Sequence, residues 1–345
     1  IIAVAVLAAP YFDSPDTALA WGVFLGGLLQ FLFQIPFMKK EGLLVKPKWA
    51  WRDEGVAKVR KLMIPALFGV SVTQLNLLLN QVIASFLITV SISWLYYADR
   101  LIEFPLGLFG IAISTVVLPS LSRIAKQKDL DHEQRKMRFE QTMDWGVRMV
   151  LLLGIPAMIG MMILAQPLMM TMFMHGKFQL ADVVASSQAL LVMCFGLISY
   201  MLINILANGF YAHQNTKTPV KIGMIAALSN ICFGLLAIPF GFLGLAMASA
   251  LSAAVNASLL YRGLAQKGIY KVTVTTAIFT LKLLISACMM GTLVSYFSPD
   301  LNGWASLHFW EKVHWLAWLI VLAAISYFGA LVALGIRLRD FRSAA

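Results

Sequence analysis

Most ionisable groups in this sequence stand between apolar runs, and the exceptions are where chemistry could reside. The densest exception is SISWLYYADRLIEFPLGLFG, residues 91–110, which sets Asp99, Arg100 and Glu103 inside an apolar stretch. A charged group in hydrocarbon costs several kcal/mol and is normally retained for a purpose. Arg100, Glu103, Gly107 and Gly110 fall at i, i+3, i+7 and i+10, one face of a helix, polar at its outer end and small further in. From a helix start near Ile92, Arg100 lies roughly 12 Å along the axis, too deep for an interface residue. The chemistry that fits is capture of an anion, because a guanidinium fork can meet two phosphate oxygens at once. The same spacing also suits a structural ion pair with Asp99 or Glu103, or an arginine that snorkels to the interface. Pro105 should loosen the helix one turn beyond the cluster.

Weaker polar features surround this one. Thr73, Asn76 and Asn80 share a face of the preceding apolar run, and Asn204 and Asn208 are spaced i, i+4 in a later one. Such stripes either line a cavity or stitch helices together. Lys282 stands alone about a third of the way into its run, where it could snorkel or meet a lipid phosphate. Asp144 and Arg148 have the spacing of a local ion pair. Walker A, GxSxG, DDxxD-like and Cys/His metal patterns are all missing from the sequence, so neither an enzyme nor a metal or other cofactor is expected. Cys194, Cys232 and Cys288 sit in apolar runs without a CxxC and read as buried small hydrophobes. Binding and translocation remain.

The elements that must carry these residues follow from composition. Of 345 residues, 60% are hydrophobic and 12% charged, with a mean hydropathy of +0.81. A soluble domain needs about 25% charged residues to face water, so the solvent here is largely lipid. Nine runs approach the length of about 20 residues that spans a bilayer as a helix. They are 17–38, 62–89, 92–120, 145–165, 181–211, 220–240, 243–261, 273–297 and 314–336. None alternates as the strands of a β-barrel would. The apolar stretch at Ile1 is too short to span and reads as the tail of a partial helix, so the expectation is an N-terminally truncated, all-α polytopic membrane protein. The net charge of +11 resides in loops and not along a groove, which argues against nucleic-acid binding. Basic and non-basic loops alternate from one end of the chain to the other, placing the basic loops and the C-terminus in the cytoplasm. Residues Trp49 to Lys61 suit an interfacial helix, and Asp129 to Asp144, of mixed charge, a solvated helical hairpin.

The runs GVSVTQLNLLLNQVIASFL and SISWLYYADRLIEFPLGLFGIAISTVVLPSLSR, with MDWGVRMVLLL, HGKF, NGFYAHQNTKTPVKI and VNASLLYRGL, resemble the MurJ (MviN) family of lipid II flippases over essentially the whole chain. That family belongs to a superfamily with multidrug exporters of the MATE type and oligosaccharidyl-lipid and polysaccharide exporters. The resemblance implies two helical lobes about a cationic cavity, two additional C-terminal helices and alternating access. It implies residues 1–38 as the end of the first lobe, 39–61 as a cytoplasmic linker and 62–261 as the second six-helix lobe. Residues 273–336 would be the two additional helices, grooved for a lipid tail, and 337–345 a basic cytoplasmic tail. Carried over, Arg100 with Asp99 and Glu103 would bind the undecaprenyl-pyrophosphate headgroup of lipid II. Thr73, Asn76, Asn80 and Asn204 would be candidates for lining the cavity and Lys282 for a lipid phosphate. A monomer in the bacterial inner membrane, in contact with membrane lipids and with a coupling ion as a candidate partner, is expected. The alternative is an ion-coupled exporter of other amphiphiles or lipid-linked oligosaccharides; a scaffold or receptor is more distant.

Overall fold

The computed structural model describes residues 7, 11–12, 15–42, 53–57, 59, 82, 91–127 and 131–336. Contact grouping divides the chain into two compact units, Ile1–Ile64 and Pro65–Ala345. In the first, α1 spans Pro15–Lys40 and ends on Lys39 and Lys40, whose charge suits the C-terminal pole of a helix. The run 62–89 apart from Val82, with Thr73, Asn76 and Asn80, lies outside the described residues, as do most of the expected partial first helix and the basic tail; of the expected interfacial segment, residues 54–57 are helical and Asp53 accepts from the Val56 N–H.

The second unit opens on α2 (Ser91–Pro105), which passes through a π-helical turn (Leu106–Ile111) into α3 (Ala112–Lys126). Helix α4 (His132–Ile163) is followed at once by α5 (Ala165–Phe173), and then come α6 (Leu180–Ala212) and α7 (Lys217–Leu236). A 3-10 turn (Ile238–Phe240) leads to α8 (Gly241–Gln266), and α9 (Val274–Phe297), the short α10 (Leu301–Ser306) and α11 (Phe309–Ala333) complete the order. Eight helical stretches of the described residues are long and apolar enough to cross a membrane. They correspond to eight of the nine runs read from the sequence. The chain is an all-helical, multi-pass membrane protein.

Helix α6 is the hub. It packs against α2, the π turn, α3, α4, α5 and α8, while α7 lies on α8, and α9 is seated on α4 and α11. Without a hydrophobic driving force in lipid, such packing depends on close backbone approach through small residues. A Cβ at Gly196 would stand 2.9 Å from the Ala250 backbone, and one at Gly146 would stand 3.0 Å from the Val117 side chain. These glycines set the interhelical distance.

Two expectations need correction. From His132 on, the segment expected as a helical hairpin is instead the first turns of one continuous 32-residue helix, α4. Asp131 caps it by accepting from the His132 N–H, and no Gly or Pro interrupts residues 132–145. Cys194 is buried as expected, but Cys232 and Cys288 are exposed on their helices. In a lipid solvent a small apolar side chain needs no protein cover.

Candidate functional site

Arg100 sits in the second half of α2, before Pro105. Pro105 brings no N–H to the helical ladder, and the π turn begins at the next residue, where the sequence led us to expect loosening. The Arg100 side chain is held by its own helix on both sides. One Nη1 donates to Glu103 Oε2 at 2.7 Å, three residues ahead, and Nη2 donates to the Tyr96 hydroxyl at 2.9 Å, four residues behind. The guanidinium carbon also stands 5.0 Å from the centroid of the Tyr96 ring. The Arg100 and Glu103 side chains remain 55% and 52% exposed, so the group is anchored yet accessible. Its ion pair is with Glu103 and not Asp99. Tyr96 was missed from sequence because an aromatic at i−4 on an apolar helix reads as packing.

The N-terminal part of α2 is fixed to its neighbours. Trp94 Nε1 donates to Asp182 Oδ1 at 2.8 Å, and Asp182 also closes the first turn of α6 by accepting from the Gln179 N–H. Tyr97 packs between Phe173 and Phe178 at ring-centroid distances of 4.7 and 4.9 Å. Beyond the π turn, Asn208 of α6 donates through Nδ2 to both the carbonyl and the hydroxyl of Ser114. Each half of this span is thus bonded to α6.

The remaining candidates are dispersed. Asn204 turns back on its own helix, its Nδ2 reaching the Tyr200 carbonyl at 3.4 Å. Lys282 is on α9, where Nζ donates to the Leu334 carbonyl at 3.0 Å, at the C-terminal end of α11. A protein carbonyl thus takes one of its three ammonium protons.

The Asp144–Arg148 pair exists, at 2.7 Å, and it is larger than its spacing indicated. Thr276 donates its hydroxyl to the Asp144 carboxylate, at 2.7 and 2.8 Å from its two oxygens, and accepts from Arg148 Nε at 2.8 Å. The Tyr270 hydroxyl donates to Asp144 Oδ1 at 3.0 Å. Burial first, and the neighbouring Asp144 carboxylate second, push the Tyr270 phenol up. This node joins α4 to the start of α9. Residues 126 and 132 apart in sequence give no local signal of it. Among the described residues no three His, Cys, Asp or Glu side chains gather as metal ligands would.

Comparison with solved structures gives the same fold. The chain superposes on a lipid II flippase MurJ in an inward closed conformation with a TM-score of 0.76 at 22% identity, covering 98% of this chain and 65% of that one. A multidrug resistance MATE family transporter in an outward-facing conformation matches with a TM-score of 0.50 at 16% identity, over 78% and 63% of the two chains. Among sequences, the probable lipid II flippase MurJ of Haemophilus influenzae is 62% identical over 98% of this chain and 66% of its own length. That of Vibrio cholerae is 50% identical, over 97% and 63%. The chain therefore spans just under two thirds of the length of these relatives. The family model described as lipid II flippase MurJ matches residues 1–314, and with the two sequence likenesses it shows that the chain belongs to the MurJ family.

Proposed function

We propose that this chain forms the larger part of a flippase that carries lipid II, an undecaprenyl-pyrophosphate-linked peptidoglycan precursor, across the bacterial inner membrane. The observation that carries this reading is the presentation of Arg100, anchored on a spanning helix by Tyr96 and Glu103 yet more than half exposed. A guanidinium held in one orientation can grip a diphosphate at two oxygens, a geometry that a lysine ammonium does not reproduce. Asp99 and Glu103 balance the positive charge while the site is empty. The division into a first-lobe remnant, a linker, a second lobe and two further helices belongs to the same reading. So does a cytoplasmic C-terminus, supported by the alternation of basic loops. Helices α9 and α11 would offer the lipid tail a surface, and Asn204 and Lys282 would serve a cavity wall and a lipid phosphate.

The test is made in a protein of the full length its relatives have. Arg100→Ala should abolish support of growth in cells depleted of their own flippase while its membrane abundance stays normal, and Arg100→Lys should be partial. Normal growth with Arg100→Ala at normal abundance overturns the reading. Loss of abundance in parallel with loss of growth makes Arg100 a structural ion pair.

A further inference from the structure

Glu103 occupies Arg100 in the way a cargo anion would. Its carboxylate offers Nη1 an oxygen at 2.7 Å, close to the spacing of a guanidinium–phosphate contact. Both side chains are more than half exposed, so an anion arriving from the open side can reach the same Nη1. Tyr96 is bonded to the other amino group, at 2.9 Å, and its ring lies 5.0 Å from the guanidinium carbon. A hydroxyl that accepts from Nη2 still has its own proton to donate, so Tyr96 adds a donor beside the fork.

We propose that Glu103 is a resident stand-in for the cargo's diphosphate, displaced from Arg100 when the anion binds, and that Tyr96 is a positioning residue that holds the guanidinium in place during the exchange. This rests on the reading of Arg100 given above. The exchange explains why an exposed cation in a lipid-facing protein does not simply retain any passing anion. Only a ligand with more charge and more acceptor oxygens than one carboxylate displaces the partner already there. A diphosphate has both, whereas a monoanionic lipid headgroup brings no more charge than the carboxylate it would have to displace. The helix provides the means, since the i−4, i and i+3 positions lie on one face.

The experiment uses a protein of the full length its relatives have, in nanodiscs of phosphatidylcholine, with inorganic pyrophosphate as the probe and its dissociation constant as the readout. Glu103→Gln removes the competitor and should tighten binding roughly fivefold, the scale of releasing an exposed ion pair. Tyr96→Phe keeps the ring and removes the hydroxyl, and should weaken binding by a similar factor. Side-chain nitrogen spectra of Arg100 provide a second measurement: rotation of Nη2 should be slow in the wild type and fast in Tyr96→Phe, a change that general loss of packing would not confine to one amino group. Unchanged or weaker binding by Glu103→Gln, with binding lost in Arg100→Ala, overturns the stand-in alone. Unchanged binding and Nη2 rotation in Tyr96→Phe overturn the positioning role. Binding that survives Arg100→Ala overturns the reading of Arg100 itself.

Discussion

At the scale of single residues, the anchored arginine and the buried node separate function from stability. Asp144 is 9% exposed and accepts from Arg148, Thr276 and Tyr270, so removing it leaves a largely buried guanidinium without its counter-charge. Asp144→Ala should cost about 3 kcal/mol, read as a lower unfolding midpoint in detergent, and Thr276→Val about 1 kcal/mol. A midpoint that does not move in Asp144→Ala would show the node to be ornamental. The Tyr270 phenol carries a pH dependence with a definite sign. Its folded value lies above the ordinary value of 10.0, so the stabilisation is complete below pH 10 and is lost as the pH rises further, where the unfolded chain sheds the proton first. Alkaline unfolding of the wild type should therefore be steeper above pH 10 than that of Tyr270→Phe. Of these residues, sequence reading found Arg100, Glu103 and the Asp144–Arg148 pair, because helical spacing is a local property. It could not find Tyr270 and Thr276, whose partners are brought near only by the packing of α9 on α4.

At the scale of elements, apolar run length located the spans and missed what extends or interrupts them. Helix α4 continues well before its apolar run because capping and helix propensity, and not hydropathy, decide where a helix begins. Helix α11 ends where Gly335 takes a φ of +79°, the Gly335 N–H bonds the Val332 carbonyl and the Ile336 N–H bonds the Leu331 carbonyl. That closure leaves the Leu334 carbonyl to Lys282, a cation placed at the negative pole of the helix. Lys282→Met keeps the aliphatic stem and should lower stability by about 0.5–1 kcal/mol, with the loss read in the thermal midpoint. A variant as stable as the wild type would return Lys282 to a purely lipid-facing role.

At the scale of the whole molecule, topology can be tested at two exposed lysines. In a background without the three native cysteines, Lys177→Cys should react with an impermeant reagent applied outside intact cells and Lys126→Cys should not. Labelling of Lys126→Cys from outside would invert the assignment. The transport proposed above would require one face of a span to turn toward a changing cavity while the rest of that span keeps a permanent neighbour. The π turn at Leu106–Ile111 lets one helix do both, because its i→i+5 bonding loops out one residue more than an α turn does. One extra residue advances the helical phase by about 100°. The azimuth at which Arg100 is presented is thereby uncoupled from the azimuth at which Ser114 meets Asn208. Excising a single residue between 106 and 111 would restore a continuous period and swing the arginine about a quarter-turn off its bearing, with every side-chain type on its face unchanged.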